Sequence, residues 1–155
     1  DGNLPCEKPI INWVILIFRM ELNFSNITEF RPRYSETDQM GIVYYGNYAS
    51  YFEVGRVELL RQIGMTYAQM EETGTILPVV HMNMDFKRGA KYDEQIFLET
   101  KLIELPTRKI SFYHHLKDAK GDTLVTGKVV LVFCDTKTFK PKSCPSDLKN
   151  LLKAL

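Results

Sequence analysis

The sequence is poor in cysteine. Its three, Cys6, Cys134 and Cys144, are odd in number and none stands in a C-x-x-C spacing. That argues against a disulfide framework and against a structural zinc site, and it suits a reducing, cytoplasmic setting. Charge of one sign is also lacking: 20 Lys and Arg face 19 Asp and Glu, a net charge of +1. Nucleic acid is therefore not the expected partner, although a small basic patch for an anionic ligand remains compatible. There is no apolar run of the roughly 20 residues that a membrane span needs. The stretch IINWVILIF, Ile10 to Phe18, is too short. With no basic segment before it and no small-residue cleavage pattern after it, it is a poor secretory signal.

Several catalytic signatures are missing as well. No serine sits in G-x-S-x-G, and there is neither a P-loop nor a G-x-G-x-x-G. The histidines are His81, His114 and His115. The last two are neighbours on an expected strand, so their side chains point to opposite faces and cannot easily share a metal. Cys134 and Cys144 have no histidine in a recognisable dyad context and read as structural. No metal and no cofactor are expected.

What is present fits one domain of ordinary globular composition. Met20 looks like a natural start, so residues 1–19 read as an extension, expression-derived or from a misassigned start. An extra strand or arm packed on the domain is the alternative. A first strand is expected over Thr28 to Tyr34, followed by a turn-rich loop and then a helix from Tyr48 to Ile63 with Asn47 as N-cap. Tyr48, Phe52, Gly55, Leu59 and Ile63 trace one face of that helix, leaving Glu53, Arg56 and Arg61 for the other. A glycine on the buried face signals close approach to a sheet. A shorter helix is expected at Thr66 to Glu72.

After Pro78 the period changes to two. Val80, Met82, Met84 and Phe86 alternate with polar residues, as do Ile96, Leu98, Thr100 and Leu102, and then Ile110, Phe112, His114 and Leu116. Ala119 to Asp122 is a hairpin turn. Leu124 to Phe133 is apolar enough for a central strand, and a short helix from Asp147 to Leu152 ends the chain. A long helix followed by a meander of strands implies an α+β fold, an antiparallel sheet wrapped around the helix in the hotdog arrangement.

The chemistry concentrates in RYSETDQMGIVYYGNY, Arg33 to Tyr48. It places a carboxylate, Asp38, on a loop leading into a helix start. Such a start offers unpaired N–H groups and the positive end of a dipole, able to polarise a carbonyl oxygen as charge develops there. The carboxylate can attack the carbonyl carbon or activate a water. A thioester, with its good leaving group, suits this modest equipment. Read on the residues alone, Asp38 is equally compatible with capping a turn.

This segment resembles the signature of the 4-hydroxybenzoyl-CoA thioesterase family, particularly its YbgC-type acyl-CoA thioesterase branch. The resemblance continues through YFEVGRVELLRQIG, LPVV and FKRGAKYDE to the closing strands, covering about Thr28 to the C-terminus. It implies a hotdog fold, cytoplasmic hydrolysis of acyl-CoA, and homodimers or homotetramers with active sites at subunit interfaces. Coenzyme A is then part of the substrate rather than a cofactor. The family's catalytic aspartate falls on Asp38, and the N–H that polarises the carbonyl falls on Tyr45. Many YbgC-type members carry His at the Tyr45 position; the backbone contribution survives that change and an imidazole role does not. Tyr34, Gly41, Val43 and Tyr44 are the expected substrate contacts. Arg88 and Lys91, with Arg108 and Lys109, are candidates for the CoA phosphates, against the plainer reading of a solvated basic surface.

Three other classes use the same fold. An acyl-carrier-protein thioesterase would need a docking surface for an acidic protein. A non-catalytic acyl-CoA-binding module would not require the Asp38 carboxylate. A dehydratase needs a histidine with an acidic partner, and the helix-start segment contains none.

Overall fold

In the computed structural model, which describes residues 21–155, the chain opens on strand β1 (Glu21–Phe30). The extension expected over residues 1–19 lies outside the described residues. Strand β1 shares Thr28–Phe30 with the expected Thr28–Tyr34 but begins seven residues earlier. It ends before Pro32, which has no N–H for a ladder, and Tyr34 belongs instead to a short 3-10 turn, Tyr34–Glu36. The polar Asn23, Ser25 and Asn26 hide this strand in the sequence. Helix α1 (Asn47–Ile63) and helix α2 (Tyr67–Glu72) follow. Then come β2 (Thr75–Ile76), β3 (Val79–Phe86), β4 (Ile96–Glu104), β5 (Lys109–Asp118), β6 (Thr123–Val132), β7 (Cys134–Asp135) and helix α3 (Ser146–Lys153). Thr66 caps α2 by accepting the Gln69 N–H while the Gln69 side chain reaches back, a capping box. The two-residue strands β2 and β7, too short to carry a period, pair with each other.

Five strands form one antiparallel sheet in the order β1-β4-β5-β6-β3. The sheet wraps α1, as the hotdog arrangement requires. β6 has a neighbour on each side, as its apolar run implies. β3 is an edge strand: Met82 and Met84 are half-buried, but Val80 and Phe86 on the same alternation are exposed.

The expected face of α1 is the buried one: Tyr48, Phe52, Gly55, Leu59 and Ile63 all lie inside, joined by Tyr51 and Leu60. Arg56 departs from the expected solvent side. It is buried, with Nε donating to the Tyr67 hydroxyl at 3.1 Å and Nη2 3.4 Å from Glu53. A long stem along an apolar surface can bury while its head keeps partners.

The helix meets the sheet where side chains are missing. Thr100, His114 and Gly127 stand in one row across β4, β5 and β6. A Cβ on Gly127 would fall 2.5 Å from both the Phe52 ring and the Asn83 carbonyl oxygen. A Cβ on Gly55 would run into Thr100 Oγ1 and lie 2.7 Å from Leu98 Cδ2. Into this space Phe52 stacks on His114 with ring centroids 4.3 Å apart and planes at 9°. His114 Nδ1 is 3.1 Å from Thr100 Oγ1, and Nε2 is buried with no partner among the described residues. Burial, with the nearby Arg56 cation, pushes the His114 imidazole down to about 3.

Two expectations follow. Gly55→Ala gains up to ~1 kcal/mol of helix propensity but forces a clash with Leu98 and Thr100, an overpacking cost of ~1–3 kcal/mol. Urea unfolding should therefore show a net loss of stability, and a gain would contradict this packing. His114 is held neutral in the fold, while in the unfolded chain it titrates near its ordinary 6.5. Unfolding takes up a proton between those values, so His114's contribution is full above about pH 6.5 and is lost as pH falls toward 3. The steepest slope is about 1.4 kcal/mol per pH unit. His114→Gln should flatten the stability profile between pH 6.5 and 5, measured by denaturant unfolding. An unchanged slope would mean that His114 is not held neutral.

Candidate active site

The segment after the 3-10 turn folds back on itself as a small hairpin. Thr37 pairs with Val43, the Asp38 N–H donates to the Ile42 carbonyl at 2.9 Å, and the Gly41 N–H donates to the Asp38 carbonyl at 3.0 Å. Gly41 closes the turn at φ +76°, a conformation in which a Cβ is strained. Asp38 Oδ1 accepts the Met40 N–H at 2.8 Å. Its other oxygen has no partner among the described residues, and the side chain is half-buried. Asp38 therefore caps its own turn with one oxygen and keeps the other available.

The hairpin is fastened behind to the loop after β3. The Val43 N–H donates to the Ala90 carbonyl at 2.8 Å, and the Ala90 N–H donates to the Tyr48 hydroxyl at 3.0 Å. Burial raises the Tyr48 phenol above its ordinary range. Gly89 lets the loop approach, since a Cβ there would lie 2.7 Å from Ile42 Cδ1.

The expected N-cap shifts by one residue: Gly46 occupies it, and Asn47 is the first helical residue. The Asn47 side chain works elsewhere, its Nδ2 donating to the Glu36 carbonyl at 2.8 Å. The N–H groups of Tyr44, Asn47 and Tyr48 are taken by Glu36, Tyr44 and Tyr45 carbonyls respectively. Those of Tyr45 and Gly46 have no partner among the described residues. Two free donors thus stand at the positive end of a 17-residue helix.

Asp38 borders two depressions. One, of about 180 Å³, is largely apolar and is lined by Tyr45, Met40, Ile42, Val43, Tyr48 and Phe86. The other, open and about 660 Å³, is bounded by Tyr34, Thr37, Gln39, Gly41 and Tyr92. Of the expected contacts, Tyr34 is an exposed aromatic at this outer mouth, with its ring edge-on to Tyr92 at 5.6 Å. Gly41 lies beside it. Val43 is buried, forming the inner wall. Tyr44 is exposed and leans on the Tyr45 ring at 4.6 Å.

The four candidate cations do not gather. Arg88 Nη2 is 2.8 Å from Glu94 and 2.7 Å from Asp118, so two carboxylates already neutralise it. Lys91 is exposed next to Tyr92, and its ammonium has no partner among the described residues. Arg108 and Lys109 lie at the start of β5, whereas Asp118 and its partner Arg88 lie at its end. Nine residues at about 3.3 Å each separate the two ends by roughly 30 Å.

Sequence reasoning passed over Glu36, Tyr51, Tyr92 and Phe86. Burial opposes ionisation of Glu36, but bonds from the Arg33 backbone and guanidinium and from Tyr51 outweigh it and hold the carboxyl below its usual range. Glu36, two residues before Asp38, and Tyr51, one helical turn after Asn47, were visible only as a loop carboxylate and a helix aromatic. No group of three or more metal-ligating side chains occurs among the described residues. No described helix is long and apolar enough to cross a membrane.

Comparison with known proteins gives this geometry a family. Residues 32–152 match the model of the thioesterase-like superfamily. The chain belongs to that superfamily. It is 34% identical over 113 residues to a putative acyl-CoA thioesterase, YneP, of Bacillus subtilis, covering 73% of this chain and 82% of that protein. To the acyl-CoA thioesterase YbgC of Haemophilus influenzae it is 30% identical over 121 residues, covering 77% and 88%. Among solved structures, a DHNA-CoA thioesterase from Staphylococcus aureus superposes with a TM-score of 0.80 at 32% identity, covering 84% and 90%. The hotdog fold and the YbgC-type likeness expected from the sequence both stand.

Proposed function

We propose that this thioesterase-superfamily enzyme hydrolyses acyl-CoA thioesters to free CoA and a carboxylic acid. In this reading Asp38 is the reacting carboxylate, and the Tyr45 N–H polarises the thioester carbonyl. The observation that carries the reading is one juxtaposition. An Asp38 oxygen without a partner and the unpartnered Tyr45 N–H, just ahead of α1, belong to residues bordering the same 180 Å³ cavity.

The chemistry needs little else. With the carbonyl oxygen at the helix start, charge that develops on it meets fixed N–H dipoles that need no reorganisation. Asp38 then serves in one of two ways. As nucleophile its oxygen bonds to the carbonyl carbon, the C–S bond breaks to release CoA thiolate, and water cleaves the resulting anhydride. As base it takes a proton from a water that makes the attack itself. Either route uses the same two groups. The apolar cavity takes the start of the acyl chain. Lys91 and the Tyr34–Tyr92 mouth suit the anionic, aromatic CoA moiety, while Arg88, spent on two carboxylates, suits it less. Gly41, Val43 and Tyr44 shape the turn that holds Asp38. The reaction fits a cytoplasmic setting, where CoA esters are made and used.

We further propose a homo-oligomer, dimer or tetramer. The outer edge of β3 offers unpaired backbone groups beside the exposed Val79, Val80 and Phe86, an edge that a second copy would cover.

Thiol release from a panel of acyl-CoAs, short and long aliphatic with benzoyl and phenylacetyl, tests the activity. Asp38→Asn should fold and lose about 10²- to 10⁴-fold in kcat, and undiminished turnover would sink the assignment. Light scattering should read a mass two or four times the 18.0 kDa of one chain; a stable monomer would contradict the oligomer.

A further inference from the structure

The loop that carries Asp38 and the helix start that carries Tyr45 are separate pieces of chain, and Glu36 is tied to both. Its backbone carbonyl accepts the Tyr44 N–H at 2.9 Å and Asn47 Nδ2 at 2.8 Å. Its carboxylate is almost covered, at 13% exposure, and is fully engaged. Oε2 accepts the Tyr51 hydroxyl at 2.9 Å and the Arg33 N–H at 2.7 Å. Oε1 accepts Arg33 Nε at 3.1 Å and Nη2 at 2.9 Å. Tyr51 is itself fixed: it is buried, and its ring lies edge-on to Phe30 at 4.7 Å and to Tyr48 at 5.7 Å.

Stability alone is a poor account of this arrangement. The Arg33 side chain is 80% exposed, and an ion pair with so exposed a partner adds little stability that apolar packing could not supply. What apolar packing does not supply is direction. Six hydrogen bonds converge on one residue, from Arg33 just before the 3-10 turn, from Tyr44 ahead of α1 and from Asn47 and Tyr51 in the helix itself. Asp38 follows two residues later, so a shift of Glu36 moves Asp38 relative to the helix start.

We propose that Glu36, clamped by Tyr51 and Arg33, is a positioning residue for the reaction, setting the separation of the Asp38 carboxylate from the Tyr45 N–H. The inference rests on the reading of Asp38 and Tyr45 given above. Neither Glu36 nor Tyr51 touches substrate in this account; both act through Asp38 and the helix start. Losing the clamp should therefore lower turnover and leave the affinity for acyl-CoA nearly unchanged, because misplacement by a fraction of an ångström costs rate before it costs binding.

The test measures kcat, KM and Tm for the full-length wild type and for Tyr51→Phe, Glu36→Ala, Glu36→Gln and Asp38→Asn. Assays run well below every Tm, with folding checked by circular dichroism. Tyr51→Phe and Glu36→Ala should lose about tenfold in kcat with KM within about twofold of wild type. Glu36→Gln, which keeps an acceptor for Tyr51, should recover most of that loss. If Glu36→Ala does not fold, Tyr51→Phe and Glu36→Gln carry the comparison. Wild-type kcat in Tyr51→Phe, or a loss confined to KM or Tm, would overturn the inference while an inactive Asp38→Asn left the parent reading standing. Undiminished activity in Asp38→Asn would overturn both.

Discussion

Helix α1 can lie against its sheet only where side chains are absent. Gly55 on the helix and Gly127 on β6 leave room for one stacked pair, Phe52 on His114, at the centre of the contact. The candidate site depends on that approach, because the depth at which α1 sits fixes where its first turn emerges. Tyr48 and Tyr51, on the same face as Phe52, are carried into the core by it. Their hydroxyls then become anchors for the loops that surround the helix start. Tyr48 holds the loop after β3, and Tyr51 holds Glu36. A packing constraint at mid-helix is thus converted, one turn away, into hydrogen bonds that define a site.

In the proposed reaction the helix start acts through what it leaves unused. Tyr44, Asn47 and Tyr48 donate their N–H groups to nearby carbonyls, and Asn47 spends its side chain on Glu36 rather than on capping. Gly46, having no side chain, caps nothing. Among the described residues the N–H groups of Tyr45 and Gly46 are left over, and Tyr45 borders the same cavity as Asp38, itself half committed to its own turn. Only a capping box, with Glu or Gln three residues on, would take the Gly46 N–H, and Ala49 stands there instead. A helix start that forgoes such a box keeps its donors for a ligand.

Much of this was legible in the sequence, and the reasons are physical. Periods of 3.6 and 2 report burial on one face, so the inward residues of α1, β4 and β5 could be read directly. Gly55 announced the close approach because a glycine in mid-helix has little other use. Asp38 and the helix start were legible as a motif in a family resemblance. What failed had no period to carry it. In strand β1 the apolar alternation breaks, with Asn26 and Thr28 half-buried and Ile27 exposed, and its start went unseen. Arg56 looked solvent-facing by position, but Tyr67 and Glu53 let it bury. The cations at 88, 91, 108 and 109 were grouped by charge, although β5 separates two of them from the others and two carboxylates occupy Arg88. The Glu36–Tyr51 bond joins residues fifteen apart in different elements, a pairing that no local pattern encodes.

The central claim is that a thioester carbonyl sits between the Asp38 carboxylate and the first N–H groups of α1. The most direct measurement is a crystal structure of the folded Asp38→Asn protein with a slowly hydrolysed acyl-CoA bound. The account predicts the carbonyl oxygen at about 3 Å from the Tyr45 backbone nitrogen, its carbon facing the residue-38 side chain and the acyl group in the cavity beside Phe86. A thioester bound with its carbonyl away from both groups, or an acyl-CoA seated elsewhere on the chain, would contradict it.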